Sequence, residues 1–300
     1  MKKILLTLFL ISFSTNARAN LQIFACEMEW ASLAREITGK YATVTSAAGA
    51  HDDAGNLSVT HDIAKNVRSA DMIFCSGGGL DETWLKYALR VGENKVVALD
   101  SKRVLFAYDY ALVKPEVKMV DASFLRSVAL RVHLNPNNII PIAGEFTRRI
   151  SLIDKDRAVY YQKSYEQFVQ KWQQLIPLWE EAAVSLKGKK IIVHDDSWKG
   201  LTSWLGLEVV GKIELKKNTL ENNKKMAELI EITKNHDVAA IILGHHEDKD
   251  FALKLSRLTK VRVIGLPFTV GGVANSGNLS QMFSTTINLL TNAVCDTRHC

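Results

Sequence analysis

Short runs of four or five apolar residues alternate along this chain with stretches whose apolar residues recur every three or four positions. Runs at 22–25, 42–46, 71–74 and 95–99 predict strands. Between them, "EWASLAREITG" has helical spacing and stops at Gly39, and "THDIAKNVRSA" opens at Thr60, a residue suited to cap a helix N-terminus. That β-α-β-α order predicts a parallel sheet covered by helices, because each parallel step needs a crossover. The pattern repeats with strands expected at 190–193, 208–210, 239–243 and 262–264.

Between the two halves lies "DKDRAVYYQKSYEQFVQKWQQLIPLWEEAAVSLKG", nearly continuous helix pattern ending at Gly188 and interrupted by Pro177. At 1.5 Å per residue it is a spine roughly 45 Å long, with a kink expected at the proline. No heptad is sustained, which disfavours a coiled coil. The expected fold is therefore α/β: two doubly wound lobes with parallel sheets, joined by one long spine helix, with a cleft between the lobes. The divisions fall at 1–19, a leader, 20–153, the N-terminal lobe, 154–187, the linking helix, and 188–300, the C-terminal lobe.

Lys2 and Lys3, the apolar core "ILLTLFLISF" and the small-x-small "ARA" ending at Ala19 have the form of a secretory signal cleaved before Asn20. The reading is a soluble, exported, periplasmic protein. Taking Lys2, Lys3 and Arg18 from the 38 basic residues leaves 35 against 32 acidic ones, a formal +3 that gives no reason to expect a nucleic-acid partner. Export makes disulfides permissible for the four cysteines. Cys26 and Cys75 each end a strand-like run, so neighbouring parallel strands favour a Cys26–Cys75 bond over two buried thiols. Cys295 and Cys300 either close a terminal loop, the preferred reading, or join His299 in a weak metal site.

In open α/β sheets, ligands bind beyond the carboxyl ends of the strands. That rule selects among the eight histidines. His194 directly follows "IIV"; His245 and His246 follow the run at 239–243; His51 follows a strand and a small-residue loop; His133 precedes Asn135-Pro136. Imidazoles suit zinc, which takes three or four N/O ligands, and Asp52, Asp53, Asp195, Asp196, Glu27 and Glu29 stand beside these positions to orient or ligate. The alternative for the acidic pairs is loop solvation and helix capping. "CSGGGLDETW" either cradles an anion or forms a tight turn, and its spacing favours the turn. No G-x-S-x-G, P-loop or H-E-x-x-H is present, and nothing identifies an activated nucleophile, so an enzyme is not expected.

These residues assembled, the chain resembles the periplasmic substrate-binding proteins of ABC importers for zinc and manganese. The resemblance covers nearly all of the mature chain and is carried by "IFACEMEWASLAREITG", "RSADMIFCSGGGLDETWL", "HLNPNN", the spine into "KGKKIIVHDDSW", "GLEVVG" and "VIGLPFTVGGV". It implies two α/β lobes joined by a long helix, with metal in the cleft. His194 matches a family ligand directly. The family's first-ligand P-H-x-x-E-P loop is missing from "GAHDDAGNLSVTHD", so His51 needs a shifted loop; Arg131 stands at the second ligand position, two residues before His133; and Leu266 replaces a late aspartate, for which His245 or His246 could substitute. The metal ligands expected are thus His51, His133, His194, His245 and His246, drawn from both lobes around one cation. An imidazole-rich set favours Zn2+ over Mn2+. The implied function is a monomeric periplasmic receptor that captures a divalent metal ion and delivers it to a cognate ABC permease in the inner membrane. Two alternatives stay open: a receptor fold that has lost metal and serves as an interaction or chaperone module, and a receptor for an iron chelate or haem, with Trp198 and Arg131 lining the cleft.

Overall fold

The structure, a computed structural model, describes residues 20–113, 131–215 and 219–295. In chain order the elements are β1 (Leu21–Ala25), α1 (Met28–Thr38), β2 (Ala42–Ser46), α2 (His61–Ser69), β3 (Met72–Cys75), α3 (Glu82–Gly92), β4 (Val104–Phe106), α4 (Ile139–Ile153), α5 (Ala158–Ala182), β5 (Lys190–Val193), α6 (Lys199–Leu205), β6 (Glu208–Lys212), α7 (Thr219–Asn235), β7 (Val238–Leu243), α8 (Lys249–Thr259), β8 (Val263–Gly265) and α9 (Leu279–Cys295). They build two four-stranded sheets, ordered β2-β1-β3-β4 and β6-β5-β7-β8. Every pairing is parallel. In each sheet the chain reverses its direction of travel between the two central strands, and the loops leaving them part to opposite faces. The crevices so formed lie beyond the ends of β1 and β3 in one lobe and of β5 and β7 in the other.

Local chemistry explains why the elements form where they do. All four residues of β3 are buried, as expected of a central parallel strand covered on both faces. Helix α1 ends at Gly39, whose φ of 53° suits a residue without Cβ. Thr60 caps α2 by accepting a hydrogen bond from the Ile63 amide at 3.3 Å.

The spine helix α5 has 25 residues, roughly 37 Å, and is flanked by 3-10 turns at Lys155–Arg157 and Val184–Leu186. It continues through Pro177. Tyr161, Phe168, Trp172 and Trp179 form its buried stripe. Trp172 meets Trp179 and, from α9, Phe283, with ring centroids 5.4 and 5.7 Å away. One apolar cluster runs from Leu21 through this stripe to Val294, so the two lobes share a core; smaller clusters line the outer face of each sheet.

The strand expected at 95–99 does not form, and the edge strand β4 lies later. Asn94 is the cause: its Oδ1 accepts from the Val96 and Val97 amides while its Nδ2 donates to the Val67 and Ala70 carbonyls, pinning this stretch as a turn. The register Ala25↔Phe74 brings Cys26 beside Cys75, and they are disulfide-bonded, with Cα atoms 4.7 Å apart. The expected leader and Cys300, with the terminal cysteine pairing, lie outside the described residues. No described helix is long and apolar enough to cross a membrane.

Candidate functional site

The C-terminal lobe presents a convergent donor set. His194 leaves the end of β5, Asp195 follows it, and Glu247 sits four residues past β7. One ligand atom from each lies within 4.8 Å of the others. Asp195 is held by the Ser197 amide and hydroxyl, which both donate to Oδ1, leaving Oδ2 3.4 Å from His194 Nδ1. Glu247 Oε2 accepts from the Gly244 amide at 2.7 Å, and its Oε1 accepts from Trp198 Nε1 at 3.1 Å. Trp198 is fully buried and packs on Phe268, with centroids 4.9 Å apart. It positions a carboxylate from within the core and does not line the cleft, contrary to the chelate reading. Burial pushes the Glu247 carboxyl up to about 7, against the opposing pull of the Gly244 amide and His194. At His194, burial lowers the pKa, but the Asp195 hydrogen bond and the Glu247, Asp195 and Asp248 charges outweigh it and hold the imidazole above its ordinary value. Two carboxylates thus attract positive charge to one imidazole.

The N-terminal lobe offers acids at the equivalent position, but they are already engaged. Glu29 Oε1 lies 3.0 Å from His133 Nδ1, and its Oε2 accepts from the Thr269 hydroxyl. Burial raises the Glu29 pKa, yet His133 and Thr269 together bring the carboxyl below its usual range. The Phe268 carbonyl, 2.9 Å from His133 Nε2, can only accept, so that nitrogen donates. Glu27 Oε2 accepts from the Ser76 amide at 3.1 Å, and Ser76 Oγ accepts from Trp30 Nε1 at 2.8 Å. Asp81 takes the Gly77 amide on both oxygens, and Glu82 likewise takes the Gly79 amide. The glycine loop therefore cradles carboxylates of its own chain. Its tightness requires glycine: φ is 72° at Gly77, and a Cβ there would come within 2.7 Å of Phe106 Cβ. Burial raises Glu27 well above its ordinary pKa, reinforced by Asp81 and Glu29; it also raises Asp81, to about 7, with help from Glu82.

The five histidines expected to ligate do not meet around one point. Among the described residues, no three of them bring ring nitrogens within 4.8 Å of one another. His133 is fully buried, with Nε2 2.9 Å from the Phe268 carbonyl and Nδ1 3.0 Å from Glu29 Oε1 but outside hydrogen-bond geometry. His51 and His245 form an edge-on pair across the lobes, centroids 4.9 Å apart. Burial, His51 and Lys249 lower the His245 pKa, and its Nε2 is buried with no hydrogen-bond partner. His246 stacks on Phe268 at 4.6 Å, beside Arg131, Asp53, Asp195 and His194; burial first and Arg131 second hold it below its ordinary pKa. Asp52 and Asp53 cap their own loop through the Gly49 and Gly55 amides, and Asp196 pairs with Lys212 at 2.7 Å. Leu266 is buried. Glu247 is not among the residues expected from the sequence; its local signal is the run "GHHED" after a strand end, where the histidines stand out more strongly.

The pieces join through "LPFTVGG". Phe268 and Thr269 reach from the C-terminal half onto His133 and Glu29, and a Cβ on Gly271 would lie 3.3 Å from Ala50 Cβ in the loop preceding His51. This strap fixes the facing rims at close range. Between them is a narrow crevice of about 20 Å³, lined in part by Glu27, Asp52, Arg131, His246 and Phe268.

Known structures share this fold. The crystal structure of ZnuA superposes with a TM-score of 0.74 at 14% identity, covering 92% of this chain and 99% of that one. The SBP FpvC from P. aeruginosa, in complex with a Ni2+ ion, gives 0.72 at 16% identity over 94% of this chain and 99% of its own. A mutant Mn-bound periplasmic metal binding protein from Candidatus Liberibacter asiaticus gives 0.73 at 14% identity, with 92% and 100% covered. These likenesses show the fold. No curated protein sequence matches. The profile described as "ZnuA: Zinc-uptake complex component A periplasmic" matches residues 23–293, and on that match the chain belongs to the ZnuA family.

Proposed function

We propose that this chain is a periplasmic receptor that captures a divalent metal ion in the cleft and hands it to the permease of an ABC importer, without covalent chemistry. The observation that carries the reading is the convergence of His194, Asp195 and Glu247 within 4.8 Å. Each donor is held by hydrogen bonds or buried packing, which cuts the ordering cost of binding. His246, kept neutral by its surroundings, is the proposed fourth ligand from the same lobe. His51 and His245 close the cleft mouth beside it. Zinc is the proposed cargo, since it accepts nitrogen and oxygen donors in four-coordinate sites. With two carboxylates in the set, manganese is the next candidate. The chain acts as a monomer, after removal of its leader near Ala19.

Elemental analysis of the natively purified protein, with zinc and manganese titrations of wild type, His194→Ala and Glu247→Gln, tests this. Stoichiometric metal in the wild type, lost or weakened in both variants, is expected. A wild type that stays metal-free and shows no thermal shift with either ion supports the interaction-module reading instead. Because a ligating imidazole must shed its proton, zinc affinity should be lower at pH 5.0 than at 7.5; equal affinities would remove His194 from the site.

A further inference from the structure

His246 stands apart from the donors it is proposed to join. His194, Asp195 and Glu247 offer ligand atoms within 4.8 Å of one another, and His246, although next to Glu247 in the chain, is not in that set. Its ring packs instead on Phe268, with centroids 4.6 Å apart and planes tilted by 50°. It is still near enough for the Asp195 and His194 charges to act on it. A fourth ligand placed this way has to move before it can bind.

The seat that holds the ring is built and fixed. Gly244 forms its floor: a Cβ there would come within 3.2 Å of His246 Cε1, 3.3 Å of His246 Nδ1 and 3.2 Å of Phe268 Cβ. These are closer than ordinary contacts, so glycine is what leaves room for both side chains. Phe268 is anchored from both lobes. Its carbonyl lies 2.9 Å from His133 Nε2, its ring packs on Trp198 at 4.9 Å, and the Arg131 guanidinium lies 4.9 Å from the same ring. His246, by contrast, is exposed, and neither of its ring nitrogens has a hydrogen-bond partner among the described residues. Rotation about its side-chain torsions frees the imidazole without opening the core.

We propose that His246 is a swinging ligand, parked on Phe268 in the metal-free protein and drawn onto the ion by a metal that demands a fourth donor, so that Phe268 and Gly244 tune the preference for zinc over manganese. This deepens the metal reading and rests on it. Zinc takes four nitrogen or oxygen donors in a tetrahedron, whereas manganese suits carboxylates and water. Bonding to zinc therefore offsets the loss of the aromatic seat, and manganese has less need of the imidazole. An aromatic contact of this kind is worth a factor of about 2–10 in an equilibrium constant.

Competition titrations of the full mature chain with zinc and with manganese test it, read as the ratio of the two affinities so that a general loosening of the site cancels. The zinc-over-manganese ratio is expected to fall at least tenfold in His246→Ala. It is expected to rise at least twofold in Phe268→Leu, which keeps an apolar contact for Trp198 but removes the aromatic face. A smaller fall in the first or a smaller rise in the second overturns the proposal. If Phe268→Leu does not fold, proton NMR of the wild type takes its place. Overhauser contacts between the His246 and Phe268 rings should be present without metal and vanish with one equivalent of zinc; contacts that persist, or that never form, overturn it. A wild type that binds zinc with the ring pair intact sinks only this inference, whereas one that binds neither ion sinks the metal reading and the swinging ligand with it.

Discussion

The two rims of the cleft stand at the same place in the same topology and carry similar residues, yet only one brings an imidazole and two carboxylates together in a part-exposed cluster. On the N-terminal rim Glu27, Glu29, Asp81 and His133 are buried against one another, the glycine loop and the strap. On the C-terminal rim His194 and Asp195 are part-buried, and Glu247 is steadied through Trp198 and Gly244. A carboxylate beside an imidazole is therefore a structural strut when both are fully desolvated, and a ligand pair when each keeps an unspent lone pair facing solvent. One rim is buried frame; the other carries the proposed ligands.

The largest effect should come from breaking the strut. His133→Ala leaves the Glu29 charge buried without its partner, which should cost about 3–5 kcal/mol in urea unfolding, while His194→Ala should cost under about 1 kcal/mol. Equal losses would erase the distinction between the rims. Next, Cys26→Ser with Cys75→Ser opens a link spanning 49 residues beneath the N-terminal rim and should lower stability by about 2–4 kcal/mol. Zinc affinity should change less in that variant than in His194→Ala, because the bond touches neither His194 nor Glu247. For metal, His194→Ala should weaken zinc binding more than about 100-fold, beyond the 10–100-fold typical of outer-shell changes, as read by competition with a chromogenic chelator.

A shallower effect concerns protons. Asp81 is raised to about 7 in the folded chain by burial and by the facing Glu82; the Gly77 and Ser76 amides and Glu27 pull the other way. The folded state then holds a proton that the unfolded chain releases near pH 4, so metal-free stability should fall as pH rises from about 4 to 7. Glu27 shifts in the same direction. Glu29 and Asp195, held below their ordinary values, give the opposite slope, but only below about pH 4–5. Melting temperatures from pH 5 to 8 in chelator should decline, and Asp81→Asn should flatten the decline; an unchanged slope would mean that Asp81 is not the group responsible.

Much of the architecture was legible because it depends on local pattern. Strands at 42–46 and 190–193, the helix stop at Gly39, the Thr60 cap and the spine all follow from spacing and propensity within a few residues. The disulfide followed from strand order, one step further. The strand at 95–99 was misread because Asn94 ties that stretch to carbonyls some two dozen residues earlier. Likewise, position at the boundary of an element marked both His194 and His133 but could not separate them. The difference lies in Glu29, Thr269 and Phe268, contributed by segments more than a hundred residues distant.

The sequence alone determined two parallel α/β lobes, their linking helix and the loops at which a ligand could sit, since periodicity and capping act over one or two turns of chain. Only the tertiary structure decided which charges are spent. Whether an imidazole or carboxylate has a free lone pair depends on what the rest of the fold places within 3 Å of it, and here that buried His133 beside Glu29 and brought Glu247 up to His194 and Asp195.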